Sequence, residues 1–173
     1  MFSRHYHIID TLHENLSTVV YRANRTNDER NVIVKMLKPG EITEQRVSQF
    51  MNEQQILSSL KSPNIVKLVE IVALPSEYFH VFEDIGGSSL YSLLQERRFS
   101  ISEGLNIAIK IAEALRTIHK KHIIHADVNP KNIIYNMETK ELQIIDFGYS
   151  VIDNHFRYNS DSDVGTSGNL MYM

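Results

Sequence analysis

Residues 125–148 read HADVNPKNIIYNMETKELQIIDFG. Two short apolar runs, Ile133 to Tyr135 and Leu142 to Ile145, flank a polar turn at Asn136 to Lys140, the pattern of a β-hairpin. The open ends of a hairpin are neighbours. The pairing therefore sets Asn132 beside Asp146, with Asp127 in the adjoining loop, and gathers two carboxylates and one amide oxygen. These are hard oxygen donors, suited to magnesium rather than zinc. A magnesium ion held by one or two carboxylates takes its other ligands from water and phosphate, so the set anticipates the phosphate tail of a nucleotide. The second carboxylate is then left to accept a hydroxyl proton.

Upstream, residues from about Glu44 to Leu60 follow a helical period, with Val47, Phe50, Leu57 and Leu60 on one stripe. Glu53 shares that inward face, and an inward carboxylate needs a cationic partner. Lys35, which follows the strand-like run Val32-Ile33-Val34, is the obvious one. Around these residues the chain divides by periodicity. Tyr6 to Leu37 reads as three strands, broken at Asn15 and at Asn27-Asp28, and Pro39-Gly40 stops the sheet. Two further strands, Ile65 to Leu74 and Tyr78 to Phe82, are joined by the turn Pro75-Ser76-Glu77. After Gly86-Gly87, a plausible hinge, come a short helix from Leu90 to Glu96 and a long one opened by the capping box Ser100-x-x-Glu103. Leu105, Ala108, Ala112, Leu115 and Ile118 are expected to mark its buried side, to about Lys121.

The chain has 173 residues, 42% hydrophobic and 23% charged, with 18 Lys+Arg against 21 Asp+Glu. That composition excludes general disorder, and a net charge of −3 gives no bulk attraction to nucleic acid or to an anionic membrane. No nucleic-acid or membrane partner is expected. The absence of cysteine excludes disulfides, thiolate metal sites and a cysteine nucleophile. No apolar run approaches a bilayer span and the first residues lack a secretory signal, so a cytoplasmic protein is expected. His119-x-x-His122-x-x-His125 has no cysteine or acidic partner to complete a zinc set.

Taken together these motifs resemble a eukaryotic-type protein kinase domain, its N-lobe and the first part of its C-lobe. Val32-Ile33-Val34-Lys35 is similar to the strand presenting the phosphate-binding lysine, and Glu53 with Ile56-Leu57 to the ion-pairing helix. Ser62-Pro63-Asn64-Ile65-Val66 resembles the linker that follows, and Phe82-Glu83-Asp84-Ile85 the gatekeeper and hinge. His125-x-Asp127 with Asn132 is similar to the catalytic loop, and Asp146-Phe147-Gly148 to the magnesium loop. Wordings such as Phe-Glu-Asp-Ile-Gly-Gly-x-Ser-Leu are similar to a bacterial subgroup, in which the kinase head precedes large ATPase and sensor or histidine-kinase regions.

The resemblance implies an α+β bilobal fold: a five-stranded antiparallel N-lobe sheet with one helix in residues 1–83, a hinge at 84–87, and a mostly helical C-lobe portion in 88–173. It implies ATP and magnesium as cofactors and a protein hydroxyl, Ser or Thr, as acceptor. Lys35 would contact the α- and β-phosphates, held by Glu53. Val20, Ile33 and Ile134 would line the adenine pocket, and the Glu83 carbonyl and Ile85 backbone would meet the base. Asn132 and Asp146 would hold magnesium, Asp127 would be the catalytic base, and Lys131 would approach the transferring phosphate. His125 and Phe147 would pack between the lobes.

The departures carry information too. Aligned on Val20, the three glycine positions of the phosphate-covering loop hold His13, Asn15 and Thr18. Loss of glycine removes easy access to positive φ, which Asn15 tolerates and Thr18 does not. Ile33 replaces a smaller alanine, and Ala126 replaces the arginine that binds a phosphorylated activation segment, so Tyr158, Ser160, Ser162 and Thr166 read as a solvated loop, with Asp161 and Asp163 as surface charges. The sequence ends where the Ala/Ser-Pro-Glu anchor would follow, so the long helix is expected to expose an apolar face that invites association. The alternative to phosphotransfer is a pseudokinase, an ATP-binding interaction module or an inactive truncated fragment. Antibiotic and choline phosphotransferases share the His-x-Asp loop but usually lack Asp-Phe-Gly, which is complete here.

Overall fold

The computed structural model describes residues 2–153. Tyr158, Ser160, Ser162 and Thr166, expected to form a solvated loop, and Asp161 and Asp163, expected to be surface charges, lie outside the described residues. After a short helix α1 (Phe2–His5), five antiparallel strands form one sheet: β1 (Tyr6–Glu14), β2 (Thr18–Arg25), β3 (Arg30–Leu37), β4 (Leu68–Leu74) and β5 (Glu77–Glu83), in the order β1-β2-β3-β5-β4. The breaks fall at the turns read from sequence. Helix α2 (Glu44–Ser59) connects β3 to β4, its first turn capped by Thr43, whose hydroxyl accepts from the Arg46 N–H.

Strand alternation sorts the sheet's two faces. Val32 and Val34 join Tyr6, Ala23, Phe79 and Val81 in one apolar cluster, and Phe2 covers it by stacking on Tyr6 and meeting Phe79 edge-on. Ile33 and Lys35 face the other way, toward α2.

Beyond β5 come β6 (Ser88–Ser89), α3 (Leu90–Glu96), α4 (Ile101–His119), β7 (Ile123–Ile124), β8 (Ile133–Tyr135), β9 (Leu142–Ile144) and β10 (Val151–Ile152). The capping box at Ser100 and Glu103 is formed in both directions. Strands β8 and β9 make the expected hairpin, with Ile133 opposite Ile144, and β6 pairs along its other edge. A second apolar core runs from Ile56 and Leu57 of α2 through Phe82, Ile133, Leu142 and Phe147 to Ala114 and Ile118 of α4.

Two sequence expectations need correction. The strand expected from Ile65 begins at Leu68, because the preceding segment pairs with the hairpin instead: Ile144 donates to the Asn64 carbonyl at 3.0 Å and the Val66 N–H donates to the Ile144 carbonyl at 3.0 Å. The buried side of α4 is also different. Ile107, Ala114 and Ile118 are buried, with Ile111 and Leu115 packed beside them, whereas Leu105 is 60% exposed and Ala108 and Ala112 are exposed. Apolar residues occupy two stripes of this helix, and the stripe that meets β7 and β9 is set by the tertiary packing rather than by the helix's own period. Ile101, Leu105 and Ile109 form the exposed one.

Gly86 and Gly87 pack closely against Tyr135 and Asn136. Gly86 takes φ +68°, and a Cβ on Gly87 would lie 2.8 Å from the Tyr135 carbonyl carbon and oxygen and 2.9 Å from the Asn136 nitrogen. Backbone against backbone leaves no side chain to yield. Gly87→Ala is therefore expected to destabilise the fold by about 1–3 kcal/mol in chemical denaturation. Gly104→Ala, in α4 where an added Cβ meets nothing within 4 Å, should instead stabilise by about 0.5–1 kcal/mol. Equal effects of the two would show that the hinge contact is not tight.

Candidate active site

Helix α2 buries Phe50, Glu53, Ile56 and Leu57 along one face, which carries a carboxylate into the core at 2% exposure. Its charge is met from three elements. Lys35 of β3 donates its Nζ to Glu53 Oε2 at 2.9 Å and to Oε1 at 3.1 Å. The Phe147 backbone N–H donates to Oε1 at 3.1 Å. His80 of β5 brings Nδ1 to 3.4 Å from Oε2. Burial pushes the Glu53 carboxyl up, but Lys35 and His80 outweigh it and hold it down at about 2. Burial likewise pushes the Lys35 ammonium down, and Glu53 and Asp146 outweigh it, leaving it above the ordinary lysine value.

Lys35 also donates to Asp146 Oδ1 at 2.8 Å, so one ammonium joins the helix, the sheet and the Asp146-Phe147-Gly148 turn. Asp146 sits at φ +64°, an uncommon conformation for a non-glycine residue, as does Ala126 at φ +64°. The turn is fixed on both sides. Phe147 is fully buried and meets the His125 ring edge-on at 4.6 Å, while Asn52 of α2 donates to the Ser150 carbonyl at 2.9 Å.

In the loop after β7, His125 packs as expected and also bonds. The Asp127 N–H donates to its Nδ1 at 3.3 Å, which leaves Nε2 to donate to the Ile145 carbonyl at 3.1 Å. Burial pushes this imidazole below its ordinary value. Asp127 is held by two amides. Asn132 Nδ2 donates to its Oδ2 at 2.7 Å and its carbonyl at 2.9 Å, and Asn129 Nδ2 donates to its Oδ1 at 2.8 Å. Asn129 in turn caps a 3₁₀ turn over Pro130–Asn132, accepting from the Lys131 N–H at 2.9 Å. The amide nitrogen of Asn132 is thus committed to Asp127, which leaves its Oδ1 as a donor atom. That oxygen and the Asp146 carboxylate are hard donors that fit magnesium.

In the hinge and the β1–β2 loop, internal hydrogen bonds take up several backbone polar groups. The Ile85 carbonyl accepts from Asn136 Nδ2 at 2.6 Å, so of the Ile85 backbone the N–H is what remains for a base. Asp84 accepts from Arg22 Nε at 2.7 Å and from the Gly86 N–H at 2.8 Å, tying β2 to the hinge. At the loop tip, Asn15 Oδ1 accepts from the N–H groups of Ser17 and Thr18 at 2.9 and 2.8 Å, and the Asn15 N–H donates to the Thr18 carbonyl at 3.0 Å. The left-handed geometry that Asn15 would tolerate is not used, because His13, Asn15 and Thr18 all have negative φ. This tip closes on itself and keeps those N–H groups for its own turn.

Of the remaining residues expected here, Val20 lies opposite Lys35 and Ile33 opposite Phe82 in the sheet. Ile134 of β8 is half-buried, opposite Ser89. Lys131 extends its ammonium over the Tyr91 ring, 5.1 Å from its centroid. Sequence reasoning did not single out His80, or Asn129 as the second clamp on Asp127. The alternation of β5, with His80 between Phe79 and Val81, was the available signal for the first.

Comparison with known proteins agrees with this geometry. The chain matches the protein kinase domain over residues 6–169 and belongs to that family. It is 32% identical over 139 residues to the RGS domain-containing serine/threonine-protein kinase A of Dictyostelium discoideum, covering 79% of this chain and 12% of that protein. It is 30% identical over 145 residues to a probable serine/threonine-protein kinase of Clostridium perfringens, covering 83% and 21%. With calcium/calmodulin-dependent protein kinase type IV of Mus musculus it shares 30% identity over 142 residues, covering 80% and 29%. The chain thus spans between 12% and 29% of the length of these relatives.

The low titration point of Glu53 sets the sign of its effect on stability. The carboxyl titrates at 4.5 when unperturbed and at about 2 in the fold, so its contribution is complete above pH 4.5 and is lost as pH falls toward 2. Glu53→Gln, which leaves Lys35 with Asp146 as its one carboxylate partner, is expected to lower stability at neutral pH by about 3–5 kcal/mol and to flatten the acid limb of the stability profile. An unchanged acid limb would show that this ion pair is not coupled to folding.

Proposed function

We propose that this chain binds Mg-ATP between the five-stranded sheet and the β8–β9 hairpin and transfers the γ-phosphate to a serine or threonine hydroxyl of a protein. The observation that carries the reading is the bonded chain from Glu53 through Lys35 to Asp146 and Phe147, which fixes one cation among three elements. The serine/threonine kinases among its relatives support the acceptor class.

In this reading Lys35 contacts the α- and β-phosphates while Glu53 holds it in place. Val20, Ile33 and Ile134 enclose the base, and the Glu83 carbonyl and Ile85 N–H meet its edge. Asn132 and Asp146 hold magnesium, which when bound neutralises phosphate charge. The acceptor oxygen forms a bond to the γ-phosphorus as the bridging oxygen departs with ADP, and the hydroxyl proton passes to Asp127. Asn129 and Asn132 keep that carboxylate aimed at the hydroxyl. Lys131 swings from Tyr91 toward the transferring phosphate. Catalysis is mostly positioning and charge neutralisation, since the loop at Asn15 to Thr18 adds few phosphate contacts.

The test is a thermal unfolding shift of the chain with Mg-ATP, followed by transfer of labelled γ-phosphate to a generic protein substrate. At 100 times its dissociation constant the nucleotide should stabilise by about 2.7 kcal/mol. Lys35→Met and Asp146→Asn should abolish the shift. Asp127→Asn should keep it while slowing transfer by about 10²–10⁴-fold. A shift with no transfer would favour a nucleotide-binding interaction module, the reading to which the glycine-free loop lends weight; no shift in a cooperatively folded chain would overturn the site.

A further inference from the structure

His80 is the one fully buried ionisable ring beside the Glu53 carboxylate among the described residues, and the phosphotransfer reading makes no use of it. Its position follows from strand register. It lies directly opposite Lys35 on β3 and opposite Ile71 on β4, so the imidazole and the Lys35 ammonium project from the same face of the sheet, toward α2. Phe50 of α2 stacks on the ring at 3.6 Å with planes 19° apart, and Phe82 meets it edge-on at 5.7 Å. These rings seal it from water.

A buried imidazole in an apolar slot is costly unless its polar atoms are met. Nδ1 lies 3.4 Å from Glu53 Oε2, longer than an ordinary hydrogen bond, and neither Nδ1 nor Nε2 makes a hydrogen bond of ordinary geometry. The charged groups around the ring are Glu53 of α2, facing it, and Lys35 of β3 with Asp146 beyond. The charged ring carries a proton on both nitrogens, and in the neutral ring a facing carboxylate favours the tautomer with the proton on Nδ1.

We propose that His80 is a positioning residue for the Lys35–Glu53 pair: its Nδ1–H holds the Oε2 edge of the carboxylate. That contact fixes the carboxylate rotamer in which Oε1 reaches the Phe147 N–H and both oxygens reach Lys35. Its bearing on nucleotide binding rests on the function proposed above; its bearing on Glu53 does not.

Two measurements separate these. In ¹⁵N-resolved NMR of the full chain, His80 should show a protonated Nδ1 whose signal moves in Glu53→Gln. A bare Nδ1 with the proton on Nε2 would overturn the proposal, whether or not the chain binds nucleotide. In calorimetric titration with Mg-ATP, His80→Phe keeps the stack on Phe50 but has no donor, and affinity should fall about tenfold. His80→Gln restores a donor and should recover most of that loss. If His80→Phe is folded and binds as tightly as the unsubstituted chain, the proposal fails. If the unsubstituted chain binds no Mg-ATP, the proposed function fails and the NMR result alone decides the role of His80.

Discussion

A carboxylate at 2% exposure keeps its charge only where that charge is met, and Glu53 is met from β3, from β5 and from the backbone that follows Asp146. Each partner belongs to a different part of the chain, separated from Glu53 by 18 residues for Lys35 and 94 for Phe147. One buried charge therefore dictates how α2 lies on the sheet and how the sheet lies on the hairpin. A displaced helix would leave Lys35 with Asp146 alone and the Phe147 N–H without its acceptor. The penalty for such an uncompensated interior charge is what makes the arrangement close to all-or-none.

The fold was readable because its strongest signals are local. Alternation in β2 and β3, the turn residues at Asn27-Asp28 and Pro75-Ser76, and the box at Ser100 and Glu103 each act within a few residues. Where the outcome depended on a distant partner, the local pattern was insufficient. Ile65 looks like the start of a strand and is β-branched, but its neighbours bond to Ile144, a partner no local period reveals. The α4 helix offered two apolar stripes, and only the position of β7 and β9 selects the one through Ile107, Ala114 and Ile118.

The site divides in the same way. Lys35, Glu53, Asp127, Asn132 and Asp146 stood out because their chemical types recur at fixed places in a known pattern; they form two bonded groups, Lys35 with Glu53 and Asp146, and Asp127 with Asn132, and Ile145 beside Asp146 donates to the Asn132 carbonyl. The second tier did not stand out. Asn129 reads as an ordinary turn residue until its amide is found on Asp127, and Asn136 as a hairpin corner until its amide reaches the Ile85 carbonyl. His80 sits in a strand where any apolar side chain would satisfy the alternation. Side chains that act on other side chains leave little trace in a single sequence, because their partners come from elsewhere in the chain.

The self-closed turn at Asn15 bears on the timing of ligand exchange. A glycine-rich loop is loose when empty and orders around its ligand, so its opening can limit how fast product leaves. Here Asn15 has already ordered the tip through bonds to Ser17 and Thr18, and little freedom is left to lose on binding or to regain on release. On the function proposed above, the residence time of a bound nucleotide would then be governed by its grip on the hinge and on Lys35, and by the separation of sheet from hairpin, rather than by the flexing of a lid.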